Sequence, residues 1–221
     1  MEHLSDALRV ADLLSERLAG KLPGVAAQLR MSPRPRHGWR PDVYPTDCRQ
    51  AAGVLLVYPL ESRSRIVLTQ RADLPDHGGQ VSLPGGEVES DEAMIDAALR
   101  EAHEEVSIEP QLVSVLGRLT PIHIPVSNFV LHPIVGTTRE RPNLRADDRE
   151  VARILEPQIV ELADPARHGI RSGTHAESPP LIPYFRVEDL EVWGATAMVL
   201  AEFLAVLGAA PDPWGETREP E

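Results

Sequence analysis

Three things are scarce in this 221-residue sequence: cysteine, positive charge and uninterrupted apolar stretches. A single cysteine, Cys48, excludes an internal disulfide framework and a C-x-x-C redox pair. It predicts a reducing, cytoplasmic setting, with Cys48 as a small buried hydrophobe. Lys and Arg number 22 against 34 Asp and Glu, a formal net charge of −12. That balance argues against a nucleic-acid binder, whose affinity comes largely from cations neutralising phosphates. Residues 1–20 are acidic and amphipathic, unlike a signal peptide. The longest apolar stretch, 192–210, carries Glu202 and has no basic flank, so it reads as a packed C-terminal helix and no membrane partner is expected.

What is present is ordinary for a globular chain: 42% apolar residues, 25% charged residues, and a length suited to one domain with small additions. The 21 prolines predict many defined turns. Leu4, Leu8, Ala11, Leu14 and Leu18 recur at helical spacing, which predicts a helix over 5–19. A Pro/Arg-rich connector follows at 32–41, either a linker or an arm that returns to a binding site. The run 51–58 reads as a buried strand, with 65–70 as its hairpin partner and 61–64 as the turn. Further strands are expected at 80–83, 113–119, 129–135, 150–155 and 184–187, and helices at 91–106, 159–162 and 192–207. The stretches 120–128 and 165–183 read as loops. Ser90 is the expected N-cap of the helix over 91–106, with Asp91 and Glu92 suiting its positive end. Strands mixed with helices imply an α/β (α+β) domain. The expected division is 1–37 as helix and connector, 38–208 as the main domain, and 209–221 as a disordered tail.

The segment 85–108 reads GGEVESDEAMIDAALREAHEEVSI. On a wheel of about 100° per residue, Ile95, Ala98, Leu99, Ala102 and Val106 share an apolar face, while Glu101, Glu104 and Glu105 fall together on another arc. Adjacent like charges on a helix cost about 0.2–0.5 kcal/mol per pair, so clustering them is a poor way to solubilise a helix. A hard divalent cation reverses the sign, since Mg²⁺ takes oxygen ligands and bridges carboxylates to substrate phosphates. An isolated E-x-x-E-E is equally an ordinary solvated face. Here Gly85-Gly86 adjoins it and lets the backbone pass close to a metal or a phosphate.

The same segment fits G-x(5)-E-x(7)-R-E-U-x-E-E-x-G-U, with U a bulky aliphatic: Gly86, Glu92, Arg100-Glu101, Ala102, Glu104-Glu105 and Ile108 hold its places. It therefore resembles the Nudix box. Two positions depart from the pattern: Ala102 is small for U, and Ser107 stands where the family has a glycine that caps the helix in a left-handed conformation. Ser107 is expected to strain or reshape that turn slightly without removing a ligand. Leu68-Thr69-Gln70-Arg71-Ala72, Gly79-Gln80 and Leu83-Pro84-Gly85-Gly86 further resemble the signature of the coenzyme A pyrophosphatase branch. Leu83 replaces a phenylalanine there, and the branch's inner arginine is missing from the stretch 73–77.

The resemblance implies a Nudix-type α/β/α sandwich with a mixed sheet. It implies hydrolysis of a nucleoside diphosphate linked to another moiety, with Mg²⁺ or Mn²⁺ as cofactor. By position, Glu101 and Glu105 are the implied metal ligands, with Glu104 a further ligand or the water-activating base. Arg100 would orient the carboxylates, or simply pair with Asp96. Arg71 and Gln80, with Gly85 and Gly86, are candidate substrate contacts, and Glu150, from a loop after the box, is a candidate base. His77, His123, His168 and His175 lack metal-ligand spacing; His77 is assigned at most a substrate contact. The expected partner is a small CoA-like nucleotide, with Arg71 and an Arg34/Arg36/Arg40 arm as charge for its 3′-phosphate, and a homodimer is compatible with the sequence. The readings held beside it are hydrolysis of ADP-ribose, a dinucleotide or an NDP-sugar, and a non-catalytic nucleotide sensor on the same fold.

Overall fold

The computed structural model describes residues 2–36, 38–41, 43–72, 79–174 and 179–215. In chain order the elements are α1 (Ala7–Leu18), α2 (Val25–Gln28), β1 (Arg49–Leu60), β2 (Arg63–Ile66), β3 (Leu68–Arg71), β4 (Val81–Ser82), β5 (Gly85–Glu87) and α3 (Met94–Val106). Then follow β6 (Ser114–Arg118), β7 (Ile122–Ile124), β8 (Phe129–Thr137), β9 (Val151–Leu155), α4 (Ile159–Leu162), β10 (His168–Ser172), β11 (Leu181–Val187), β12 (Leu190–Trp193) and α5 (Gly194–Val206).

β1 organises the molecule. It pairs in parallel with β8 from Arg49↔Phe129 to Val57↔Thr137, and antiparallel with β2 and β5, while β6 and β7 pair antiparallel with β8. The sheet is therefore mixed. Strand alternation sends Ala52, Val54, Leu56 and Tyr58 of β1 to one side, against Ala97, Ala98, Ala102 and Val106 of α3. Leu55 and Val57 point the other way, into a cluster with Leu14 of α1 and Val199 and Phe203 of α5. Both faces are covered, which is why the β1 sequence is continuously apolar rather than alternating. The result is the expected α/β/α sandwich, with two smaller sheets, β10-β11-β12 and β4-β3-β9, alongside.

Several elements differ from the sequence reading. α1 buries Ala7, Val10 and Leu14, leaving Leu8 68% exposed, so the core face is rotated from the one expected. The run 65–70 is two strands: β2 stays with β1, while β3 leaves to join β4 and β9. The connecting turn is tighter than expected, with Glu61 and Ser62 both at positive φ between the paired Leu60 and Arg63. β7 forms inside the expected loop 120–128, flanked by Pro121 and Pro125, at the margin of the sheet where missing amide donors cost nothing. β10 lies inside the expected loop 165–183. Its Gly169 takes the Tyr184 ring where a Cβ would stand, and His168 packs edge-on to Phe185, contacts made only by pairing with β11. Val192 and Trp193 belong to β12, and α5 starts at Gly194. α5 is buried nearly all round, so its uniform apolarity marks a core helix. Among the described residues no helix is long and apolar enough to cross a membrane. Cys48 is half-buried, its Sγ donating to Asn128 Oδ1 at 3.1 Å, rather than a core hydrophobe.

The Pro/Arg-rich connector folds back on the domain. Arg34 bridges Leu181 and stacks on Trp214; Arg36 stacks on Trp39 and donates to the His123 carbonyl at 3.0 Å. Burial pushes the Arg36 guanidinium down to about 10. The C-terminal stretch returns over the same region, with Trp214 Nε1 donating to Arg30 O at 2.9 Å; residues 216–221 lie outside the described residues.

Candidate active site

The site forms where β5 meets α3. Gly85 and Gly86 pair with Gly53 and Ala52 of β1. At Gly85, φ is 155°, and a Cβ would overlap the Ala52 carbonyl and the Gly53 backbone, so only glycine fits. At Gly86 a Cβ would stand where the Glu101 carboxylate sits. The paired glycines thus let the β5 backbone lie directly under the helix carboxylates.

α3 begins later than the sequence suggested, at Met94 with Ala93 as an uncapped N-cap. Ser90 is not its cap, and Glu92 does not serve the helix dipole. Glu92 Oε2 instead accepts from the Glu89 amide at 3.1 Å, and both its carboxylate oxygens face Arg100. This pairing spans eight residues, so helical periodicity could not reveal it. Arg100 donates from Nε to Glu92 at 2.9 Å, from Nη1 to Glu101 at 2.7 Å and Glu104 at 3.3 Å, and from Nη2 to the Glu87 carbonyl at 3.1 Å. Its partners are three carboxylates, and Asp96 is not among them. Glu92 and Glu101 raise the Arg100 pKa, and the guanidinium in turn lowers that of Glu92.

The three glutamates that share an arc on the wheel differ sharply in environment. Glu104 is the most exposed. Glu101 is largely covered, with burial raising its pKa, Arg100 opposing, and Glu104 and Glu150 adding to the rise. Glu105 is 5% exposed, and its Oε2 accepts the Gly85 amide at 3.1 Å. Burial pushes its carboxyl up to about 7; the Gly85 amide and Arg71 pull it down, Glu101 and Glu150 push it up. The apolar side of α3 is centred on Ala97, Ala98, Ala102 and Val106, with Ile95 and Leu99 at its margin.

Glu150 reaches this cluster through backbone docking that sequence spacing does not encode. The loop before β9 hangs on the end of α3: Arg145 N donates to Val106 O at 3.1 Å and Asp147 N to Glu105 O at 2.9 Å. Ala72 N then donates to Glu150 O at 2.9 Å, tying the loop to the end of β3. Glu150 is exposed, yet its charge raises both Glu101 and Glu105. Ser107 takes the left-handed conformation itself, at φ 59° and ψ 31°, with its amide donating to His103 O at 2.9 Å. Its hydroxyl also donates to Arg145 O at 3.3 Å, so the serine pins the Glu150 loop as well as closing the helix.

Arg71 stands at the end of β3, its amide donating to Gln80 O at 2.9 Å. Its Nε is buried with no hydrogen-bond partner among the described residues, and its charge lowers Glu105. Gln80 therefore takes part through its carbonyl in shaping the Arg71 turn. His77 and the stretch 73–78, where the branch's inner arginine is missing, lie outside the described residues. His168 hydrogen-bonds Leu162 O at 2.8 Å, and His123 is buried beneath the connector. Leu83 is 5% exposed and packs in the core beside Gly53.

Among the described residues, no three acidic, imidazole or thiol side chains are drawn together into a finished metal centre. Glu101 turns to Arg100 and Glu105 to the Gly85 amide. The donor set nevertheless suits a hard cation: carboxylate oxygens only, with the Gly86 cradle holding Glu101 where any Cβ would displace it.

The NUDIX domain family profile matches residues 49–176. An uncharacterized Nudix hydrolase, NudL, of Enterobacter sp. (strain 638) is 35% identical over 168 residues, covering 74% of this chain and 85% of that protein. Its namesake in Citrobacter koseri is 37% identical over 175 residues, with the same coverage. Among solved structures, a Nudix hydrolase from M. smegmatis, RenU, superposes with a TM-score of 0.53 at 20% identity, covering 74% of this chain and 88% of that one, a likeness of fold.

Proposed function

This chain belongs to the Nudix family, and on that premise we propose that it hydrolyses the diphosphate of coenzyme A or acyl-coenzyme A, giving 3′,5′-ADP and 4′-phosphopantetheine or its acyl derivative. The observation that carries a diphosphatase reading is the seating of Glu101 against Gly86 and of Glu105 on the Gly85 amide, with Glu150 and Arg71 near enough for their charges to act on Glu105. Glu101 and Glu105, with Glu104, would hold a divalent cation, Mg²⁺ or Mn²⁺. Such a cation neutralises diphosphate charge and lowers the pKa of bound water.

The chain's own groups do the rest. Arg71, with its unpaired Nε, would donate to a phosphate oxygen, for which a guanidinium fork is well shaped. Arg100, held by Glu92, keeps Glu101 and Glu104 in place and is a positioning residue. Glu150 would take the proton of the attacking water at a carboxylate oxygen. It is preferred to Glu104 because Glu104 already accepts from Arg100, whereas no ion pair engages Glu150 among the described residues.

The CoA assignment rests on the resemblance of 68–72 and 79–86 to that branch. The leucine at 83 does not weaken it, since Leu83 faces the core. The test is a panel of CoA, acyl-CoA, ADP-ribose, NADH and dNTPs with Mg²⁺ or Mn²⁺. Preference for CoA or its thioesters is expected. Preference for ADP-ribose or NADH overturns the substrate and keeps the chemistry, while tight nucleotide binding without metal-dependent turnover overturns the enzyme reading.

A further inference from the structure

Among the described residues, arginines that make no ion pair occur in several parts of the fold, and three of them line one cavity. A cavity of about 240 Å³ opens between β2, the segment entering α4, and β11; Arg65, Arg167 and Arg186 line it together with Glu156, Glu161 and Glu188. Each carboxylate is committed elsewhere. Glu156 accepts from Tyr58 Oη at 2.6 Å and from Arg141 at 2.7 and 2.8 Å. Glu161 accepts the Gln158 amide in the capping box at 3.1 Å, and Glu188 pairs with Arg153. The three guanidiniums have no carboxylate partner within ion-pair distance among the described residues. Arg65 gives Nη1 to the Glu156 carbonyl at 2.6 Å, but its Nε is buried with no hydrogen-bond partner. Arg186 donates to Tyr184 Oη at 3.2 Å and lies over the same ring.

A buried guanidinium donor left without an acceptor is unfavourable, and an oxyanion is the group that satisfies it in bidentate geometry. We propose that this cavity is a second ligand site, for a phosphate group carried by a small molecule or free in solution. The volume is several times the roughly 30 Å³ of one water, so it admits a phosphate with little attached to it. The site is separate from the carboxylate cluster: β9 runs between Glu150 and Glu156, about 20 Å at strand rise. It stands independently of the diphosphatase reading.

The experiment titrates the full chain with inorganic phosphate at pH 7 in metal-free buffer, where no cation can recruit the anion to Glu101 and Glu105. Calorimetry and the arginine Nε–H resonances are followed together. Saturable binding is expected, with the Arg65 Nε–H signal moving. Arg167→Gln and Arg186→Gln should each weaken binding at least tenfold, and Arg9→Gln, on the exposed side of α1, should leave it unchanged. Absence of saturable binding overturns the proposal, as does saturable binding untouched by both Arg167→Gln and Arg186→Gln. Should either cavity variant fail to fold, the Arg65 resonance in the wild type decides: movement with phosphate supports the site and a stationary signal overturns it.

Discussion

Substituting the two adjacent glycines should separate a catalytic effect from a structural one. In Gly86→Ala the new Cβ meets the end of the Glu101 side chain, and nothing in the Gly86 backbone requires glycine, so the carboxylate swings aside and the fold remains. The stability cost is the partly exposed Arg100–Glu101 contact of 2.7 Å, about 0–1 kcal/mol, or a melting shift within about 4 °C for a chain of this size. Turnover is another matter. Moving a group that must be in register by about 1 Å costs on the order of 100-fold, or about 2.7 kcal/mol of transition-state stabilisation. In Gly85→Ala the Cβ meets the Ala52 carbonyl and Gly53 backbone, which cannot swing, and φ is already in the glycine region. That variant should lose about 3 kcal/mol or more of stability, because β5 must separate from β1. Thermal denaturation, Mn²⁺ binding and metal-dependent hydrolysis on the preferred substrate read the three quantities. Wild-type Mn²⁺ affinity and turnover in Gly86→Ala would refute the placing of Glu101 as a ligand. Equal destabilisation by both variants would refute the distinction between side-chain and backbone contact.

Glu202 is fully buried and accepts from Gly24 N at 3.1 Å, Gln28 Nε2 at 2.9 Å, and Thr120 Oγ1 at 2.7 Å; Glu202→Ala should cost about 3–5 kcal/mol by denaturant titration, since it leaves buried donors unmet. Ser107→Gly should stabilise by about 0.5–1 kcal/mol through relief of the left-handed backbone, offset in part by loss of the Arg145 tie, and a lower melting temperature would contradict this. Arg141, through its hydrogen bonds, holds the Glu156 carboxyl below the usual range. The stability this adds is present above the unfolded pKa and is lost as pH falls through the lower folded one. The stability gap between wild type and Glu156→Gln should therefore narrow from pH 6 to pH 3, and a constant gap would rule out the linkage. Glu150→Gln should lower kcat with little change in Mn²⁺ affinity; a loss of Mn²⁺ affinity alone would make Glu150 a ligand instead of the base.

The sequence by itself determined the family, the helix that bears Glu101, Glu104 and Glu105, the central buried strand, and the glycine pair placed just before that helix. Each is a local pattern: a helical period, an apolar run, a fixed spacing. It could also mark Ser107 as unusual, though not that the hydroxyl would be used. Only the tertiary structure decided which carboxylates are buried. Glu101, Glu104 and Glu105 are near-equivalent on a wheel, yet β5 covers Glu105 and leaves Glu104 in solvent. It also decided that the loop bearing Glu150 docks on the end of α3, close enough for its charge to act on Glu101 and Glu105, and that Glu92 clamps Arg100 from outside the helix. β7 and β10 likewise exist because β8 and β11 lie beside them. Periodicity reports what a segment prefers by itself, whereas burial, charge pairing and edge-strand pairing depend on neighbours that are distant along the chain.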